Sequence, residues 1–254
     1  MNIESHIHRR SALSLRILLP LLVCATCPLV GFGDEVSDLE REEEATEYLA
    51  SLGTIIVSKD GKICVTIDGF AFNGHYEPWA GEASDLDRLS EIGPIDRLDI
   101  SIPFDSAKDL TAIKKIPEFR SLHISISGPL VWDREFMSEI AACPSLEEFV
   151  VDTNHMTDDS LVSLQDHKSL KQLRIFCHDG KMTRASLDAI VQIKTLEEVC
   201  IYLPGLTDDD LETFLSLPNL KKVRIKSPKI TEAGCRRLVD KHPTCDDVLN
   251  LRNR

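Results

Sequence analysis

The chain has 254 residues, long enough for one domain or two, and its 43% hydrophobic and 28% charged content is that of an ordinary globular protein. With 29 basic against 42 acidic residues it carries a formal net charge of −13, which excludes nonspecific binding to nucleic acid as its role.

The first segment differs from the rest. His6, His8, Arg9 and Arg10 precede an uncharged apolar run over residues 17–32, the layout of a secretory signal peptide, so residues 1–33 are read as an export signal cleaved near Gly31 to Gly33. The run is shorter than the roughly 20 residues a membrane-spanning helix needs, and Pro20 and Pro28 interrupt it. Two alternatives remain open: an uncleaved anchor, or a lipoprotein attached through Cys27, for which Thr26 is a poor preceding residue. Membrane contact is expected only in those two cases. Arg9-Arg10 hints at twin-arginine export, and the Cys24-x-x-Cys27 pair is part of the apolar segment rather than a metal or redox site. Cleavage would leave 26 basic against 41 acidic residues, a net of −15, unevenly spread: residues 221–254 hold ten Lys or Arg against four acids.

Residues 34–61 are expected to form an N-terminal cap. Ala45, Tyr48, Leu49 and Leu52 fall on one face of a helix, and the acids of residues 34–47 are its solvated side and first turns. Apolar runs at 54–57 and 63–67 flank Lys59-Asp60-Gly61, a hairpin signal whose second arm begins a sheet. Residues 70–81, with Gly74, Pro78 and Trp79, fit neither a helical nor a strand period and are read as a loop that contacts the first repeat.

From residue 62 to 254 the chain repeats itself. An apolar triplet φ-x-x-φ-x-φ begins at Ile95, Phe119, Leu146, Leu170, Leu196 and Leu220, in steps of 24, 27, 24, 26 and 24 residues. Alternation with polar residues and the frequency of β-branched types make each triplet a short strand with one buried face. Between strands, Thr157, Thr183, Thr207 and Thr231 stand where a helix N-cap is expected, since a threonine oxygen can take up an amide of the first turn. Pro117, Pro144, Pro218 and Pro243 end the helices before the next strand. Such a unit cannot bury its own apolar face, so neighbours must stack around a common parallel sheet. Cys245, Val248 and Asn250 echo the triplet with a polar last member, as a closing repeat should.

These residues resemble the leucine-rich-repeat family, in its ribonuclease-inhibitor-like branch with a helix in each repeat. The best match is Leu146 to Thr157, L-x-x-F-x-V-x-x-N-x-M-T, with Asn154 at the family's ladder asparagine; Pro103, Ser127, Pro204 and Pro228 stand at that position in other copies. The resemblance spans residues 62–254 and implies an α/β fold: a right-handed solenoid forming a curved horseshoe segment, its parallel sheet on the concave face and its helices on the convex one. It also implies a binding scaffold, because related solenoids serve mostly to hold other macromolecules.

Signatures of catalysis are missing: there is no G-x-S-x-G, H-E-x-x-H, phosphate-binding glycine loop or calcium loop beyond residue 33. Cys177-His178 offers two metal-ligand types with no second pair at ligand spacing, and the scattered cysteines show no zinc or disulfide framework. Cys235 and Cys245 occupy core positions and are read as small buried hydrophobes, with a disulfide in the end repeat as the alternative. No catalytic residue, metal or cofactor is therefore expected.

The strand residues between the buried ones must project from the free sheet face. One column is Asp99, His123, Val150, Arg174, Cys200 and Arg224; its neighbour is Ser101, Ser125, Asp152, Phe176, Tyr202 and Lys226. Adjacent members should lie about 4.8 Å apart, which would put Phe176 against Tyr202. Aromatics and arginines are the types enriched at binding hot spots, so Arg174, Phe176, Tyr202, Arg224, Lys226 and His123 are the candidate contact residues for a protein or peptide. The expected function is an exported, non-catalytic interaction module in the periplasm, the envelope or outside the cell. The alternatives are a self-assembling envelope component, in which the acidic body meets the basic end, and an enzyme or carbohydrate binder supported by the 70–81 loop.

Overall fold

The computed structural model describes residues 32–69, 78–102, 112–116, 118–125, 132–153, 155–177 and 181–251. Almost all of the expected export segment, most of the 70–81 loop, Asn154, Pro117 and His178 lie outside the described residues.

Helix α1 (Phe32–Ser51) leads into strands β1 (Ile55–Lys59) and β2 (Lys62–Asp68). Their turn has Asp60 at φ 54° and Gly61 at φ 74°, the two left-handed residues of a two-residue hairpin whose twist matches the strands. Leu49 and Ala45 are fully buried on the expected helix stripe, while Tyr48 is 42% exposed and bonds Asp85 through its hydroxyl at 2.7 Å. Trp79 and Ala80 fasten the end of the long loop, their amides donating to the Asp68 and Leu52 carbonyls at 2.8 Å each. A 3₁₀ segment, Ala83–Glu91, follows the expected loop.

Strands β3 (Ile95–Ser101), β4 (Phe119–Ser125), β5 (Glu148–Thr153), β6 (Gln172–Cys177), β7 (Glu198–Tyr202), β8 (Lys222–Lys226) and β9 (Asp247–Asn250) then alternate with helical segments. These are α2 (Arg134–Ala141), α3 (Asp158–Val162), α4 (Arg184–Ile190), the 3₁₀ helix Asp208–Ser216 and α5 (Glu232–Lys241). The fold is α/β with one open nine-stranded sheet among the described residues, in the order β1 to β9. β1 pairs antiparallel with β2, and every later pair is parallel.

The register follows the apolar triplets. Leu98, Leu122, Phe149, Leu173, Val199, Val223 and Val248 are partners in one continuous row. Leu98 to Val223 in that row are at most 1% exposed, as are Val151, Ile175, Ile201 and Ile225 two residues on. Consecutive helices touch one another and cover this buried face, so the residues between the buried ones are left on the open face.

Each expected threonine stands at the N-cap of its helical segment, and Thr183 and Thr231 take up an amide there. Thr183 Oγ1 accepts from the Ala185 amide at 3.2 Å, and Thr231 Oγ1 from the Gly234 amide at 3.1 Å. Asp133 does the same for α2, accepting from Phe136 at 2.8 Å. The segment after Thr207 is 3₁₀ rather than α, in keeping with its opening run Asp208-Asp209-Asp210, whose short polar side chains compete for backbone hydrogen bonds.

Caps also link neighbouring units. Asp158, at the start of α3, accepts from the Thr183 amide at 2.8 Å, from Thr183 Oγ1 at 2.7 Å and from the Ser186 amide at 3.1 Å. Two units on, Asp208 likewise accepts from the Thr231 amide and hydroxyl. Where the equivalent residue is Arg184, the pattern changes. Thr207 is capped by its own Asp210, whose carboxylate Arg184 then grips. Two buried imidazoles serve the turns before strands. His167 Nε2 lies 3.2 Å from the Cys143 carbonyl and Nδ1 accepts from Leu170 at 3.1 Å; His242 does likewise with Leu217 and Cys245.

At the last strand, Asn250 Nδ2 donates to the Ser227 and Ile230 carbonyls at 2.8 Å each, so the polar last member of the triplet fills backbone acceptors of the preceding loop. Cys235 and Cys245 are both buried and both free thiols.

Candidate functional site

The open face carries four rows of side chains, and the two nearest the strand starts are built largely of charge. Nearest the strand starts, Lys62, Asp96, Arg120, Glu147, Lys171, Glu197, Lys221 and Asp246 alternate in sign from one unit to the next. Contacts follow the alternation: Lys62–Asp96 at 3.4 Å, Asp96–Arg120 at 3.6 Å, Arg120–Glu147 at 2.8 Å, Glu147–Lys171 at 3.1 Å and Glu197–Lys221 at 2.5 Å. From Asp96 to Asp246 each of these residues sits directly after the first apolar member of a triplet, so the alternation is present in the sequence once the copies are aligned.

The next two rows mix charges more tightly. Arg97 Nε donates to Asp99 at 2.9 Å, and Arg97 Nη2 lies 2.9 Å from His123 Nδ1, itself 3.1 Å from Asp99 Oδ1. His123 Nε2 is 3.4 Å from Glu148. Burial alone would raise the Asp99 carboxyl, but hydrogen bonds from His123 and Arg97 overcome it and hold the group below the usual carboxylate range. Farther along, Arg174 lies 3.9 Å from Glu148 and 3.7 Å from Glu198, and donates to Gln172 at 3.2 Å. Arg224 is paired with Asp247. Both candidate arginines are thus already held by carboxylates of the chain itself. This fixes their geometry and lowers what a new carboxylate would gain from them.

Cys200 lies between these arginines. Burial pushes its thiol up, against the pull of Arg174 and Arg224, so it is a neutral thiol rather than a nucleophile at neutral pH.

The fourth row holds the aromatic site. Phe176 and Tyr202 meet edge to face with ring centroids 5.2 Å apart, and Lys226 Nζ stands 4.5 Å from the Tyr202 centroid on the next strand. A hollow of about 370 Å³ beside them is lined by Arg174, Phe176, Cys200, Lys222, Arg224 and neighbours. A second, of about 310 Å³, is lined by Asp68, Asp99, Ser101, His123, Asp152 and Phe176 among others. Five of the six candidates therefore fall together across β6 to β8, and His123 lies apart on β4 in the second hollow. Phe176 borders both.

Among the described residues no group of three or more His, Cys, Asp or Glu is placed to hold a metal ion, and no helix is long and apolar enough to cross a membrane.

No protein-family model matches this sequence, and no curated protein is significantly similar to it. Among solved structures, a Bacteroides fragilis protein determined as a structural genomics target is similar at 14% identity and a TM-score of 0.38. The match covers 66% of this chain and 58% of that one, so the chain spans less than two thirds of that protein's length.

Proposed function

We propose that this chain is an exported leucine-rich-repeat protein of the ribonuclease-inhibitor-like kind, a right-handed horseshoe segment that binds a polypeptide on its concave sheet face without catalysing a reaction. The repeat of apolar triplets supports the family, and the one-face burial of the sheet supports the site. The observation that carries the binding reading is Phe176. It is a partly exposed aromatic on a sheet face, packed against a second ring, and it walls two hollows at once. A solvated sheet face has no need of such apolar area, whereas a desolvated interface centre does.

The proposed contact set is Arg174, Phe176, Tyr202, Arg224 and Lys226, with His123 at its margin. Binding of a partner isolated from the cell envelope is expected to weaken at least about tenfold, the loss of one hot-spot contact, in Tyr202→Ala and to be unchanged in Arg236→Ala on the helix side. Equal affinity in both variants would move the site off this face. Export is tested separately: mass spectrometry of protein from its own cell should find a new N-terminus near Gly33, and an intact Met1 in the cytoplasm contradicts it.

A self-assembling envelope component is the second reading, favoured by a charge ladder that begins on Lys62 and ends on Asp246, so that its two ends are complementary. Concentration-dependent assembly abolished by salt distinguishes it.

A further inference from the structure

The proposed binding face has an electrical direction as well as an aromatic centre. On the four successive strands β5 to β8, the outermost row reads Asp152, Phe176, Tyr202, Lys226: acid, ring, ring, base. Asp152 is the register partner of Phe176, and Tyr202 that of Lys226. Phe176 and Tyr202 are joined by their ring contact. Asp152 and Lys226 are both exposed.

The charges around each end follow the same order: charged open-face residues on β2–β5 are mostly acidic and those on β6–β8 mostly basic. Asp152 shares its hollow with the carboxylates of Asp68 and Asp99, the last of them bonded by Arg97 and His123. At the other end Arg174, Lys222 and Arg224 are paired with Glu148, Glu198 and Asp247, and Lys226 stands beyond them against the Tyr202 ring, adding a further positive charge. The face is thus negative toward β2–β5 and positive toward β6–β8, with the rings at the boundary.

We propose that this face takes an extended polypeptide segment bearing a basic, an apolar and an acidic side chain on one side, each two residues from the next. The inference rests on the binding-face reading above and specifies the partner's chemistry. Three strand spacings at about 4.8 Å separate Asp152 from Lys226 by about 14 Å, and four residues of extended chain span about 13 Å. In an extended chain the side chains at every second position share a side, so all three can face the sheet together. The basic group lies over Asp152, the apolar group on Phe176 and Tyr202, and the acid at Lys226. A nucleic acid is disfavoured because Asp152, Asp68 and Asp99 repel its phosphates. A uniformly acidic or uniformly basic peptide meets one repelling end in either direction.

The test uses the full-length protein and short labelled Gly/Ser peptides that carry Lys, Phe and Glu at alternate positions. Control peptides flank the Phe with two Lys or two Glu, and one replaces the Phe by Ser. The Lys-Phe-Glu peptide is expected to bind at least about tenfold more tightly than either like-charged control, a margin matching one charge-assisted contact. Lys226→Glu should transfer the preference to the Lys-Phe-Lys peptide and Asp152→Lys to the Glu-Phe-Glu peptide; both positions are exposed, so the fold should tolerate the changes. If the ranking is the same in all three proteins while replacing Phe by Ser or Tyr202 by Ala still abolishes binding, the charge order is wrong and the binding face stands. If binding ignores both the Phe and Tyr202, the binding face itself is wrong. No binding of any peptide at millimolar concentration overturns the proposal.

Discussion

Asp208 occupies the space that a β-carbon on Gly234 would take. Its carboxylate accepts from the Thr231 amide at 2.7 Å and from Thr231 Oγ1 at 2.6 Å, capping the helix in which Gly234 is the third residue. The glycine thus answers to a neighbouring unit rather than to its own helix, where alanine would ordinarily be favoured by roughly 0.5–1 kcal/mol.

That relationship gives a prediction with a change of sign. Gly234→Ala should destabilise the protein by about 1–3 kcal/mol, the range for an overpacked site. In an Asp208→Ala background, where the collision is gone, the same substitution should be neutral or stabilising. Chemical denaturation of the four proteins in the cycle reads this directly, and an additive cycle would refute the clash.

Stability should fall in mild acid because of His167. Burial lowers its proton affinity, against the pull of its bond to the Cys143 carbonyl, so the folded state holds the neutral ring. The unfolded chain takes up the proton first as pH drops. The contribution is therefore full above the ordinary value of about 6.5 and is lost as pH falls from there toward the lower folded value. Unfolding free energy followed from pH 7.5 to 5 should decline more steeply in the parent than in His167→Gln, and parallel curves would contradict the assignment.

A separate acid loss is expected at lower pH. Burial opposes the ionisation of Asp158, but hydrogen bonds from Ser186 and Thr183 prevail and leave its carboxyl below the ordinary value; Asp208 is held down in the same way by Thr231. Their contribution is present above about pH 3.9 and disappears as pH falls through the depressed folded values. In Asp158→Asn the decline in stability below pH 4 should be shallower than in the parent.

Register is tested by adjacent residues of β6. Leu173 is fully buried, while the Arg174 side chain is 40% exposed. Leu173→Ala should cost about 2–5 kcal/mol, and Arg174→Ala under about 1 kcal/mol because its pairs are screened by solvent. Similar melting temperatures for the two variants would place the strand one residue out of register.

Much of this was legible in the sequence because the repeat encodes it twice, in the apolar triplets and in the threonines between them. The period of the triplets gave strand positions and burial, and Thr157, Thr183, Thr207 and Thr231 gave the helix starts. Relations between units were harder to read. The Asp158 and Asp208 caps, the compensating Arg184–Asp210 pair and the alternating charges from Lys62 to Asp246 each link residues about one repeat apart, and they show only when the copies are aligned position by position. The contact of Phe176 with Tyr202 followed from strand alternation alone. The carboxylates that hold Arg174 and Arg224 did not, because Glu148, Glu198 and Asp247 stand two residues before the arginines' own register partners, a diagonal that strand alternation alone does not single out.

The central claim, that the sheet face around Tyr202 meets a polypeptide partner, is tested most directly by photocrosslinking in the protein's own cell. Tyr202 and Arg236 are each replaced, in separate proteins, by a photoreactive phenylalanine analogue, and the adducts are mapped by mass spectrometry. Account and result agree if light yields a peptide adduct from position 202 that is diminished by Phe176→Ala and absent from position 236. An adduct formed only from the helix side, or one at position 202 indifferent to Phe176, would contradict it.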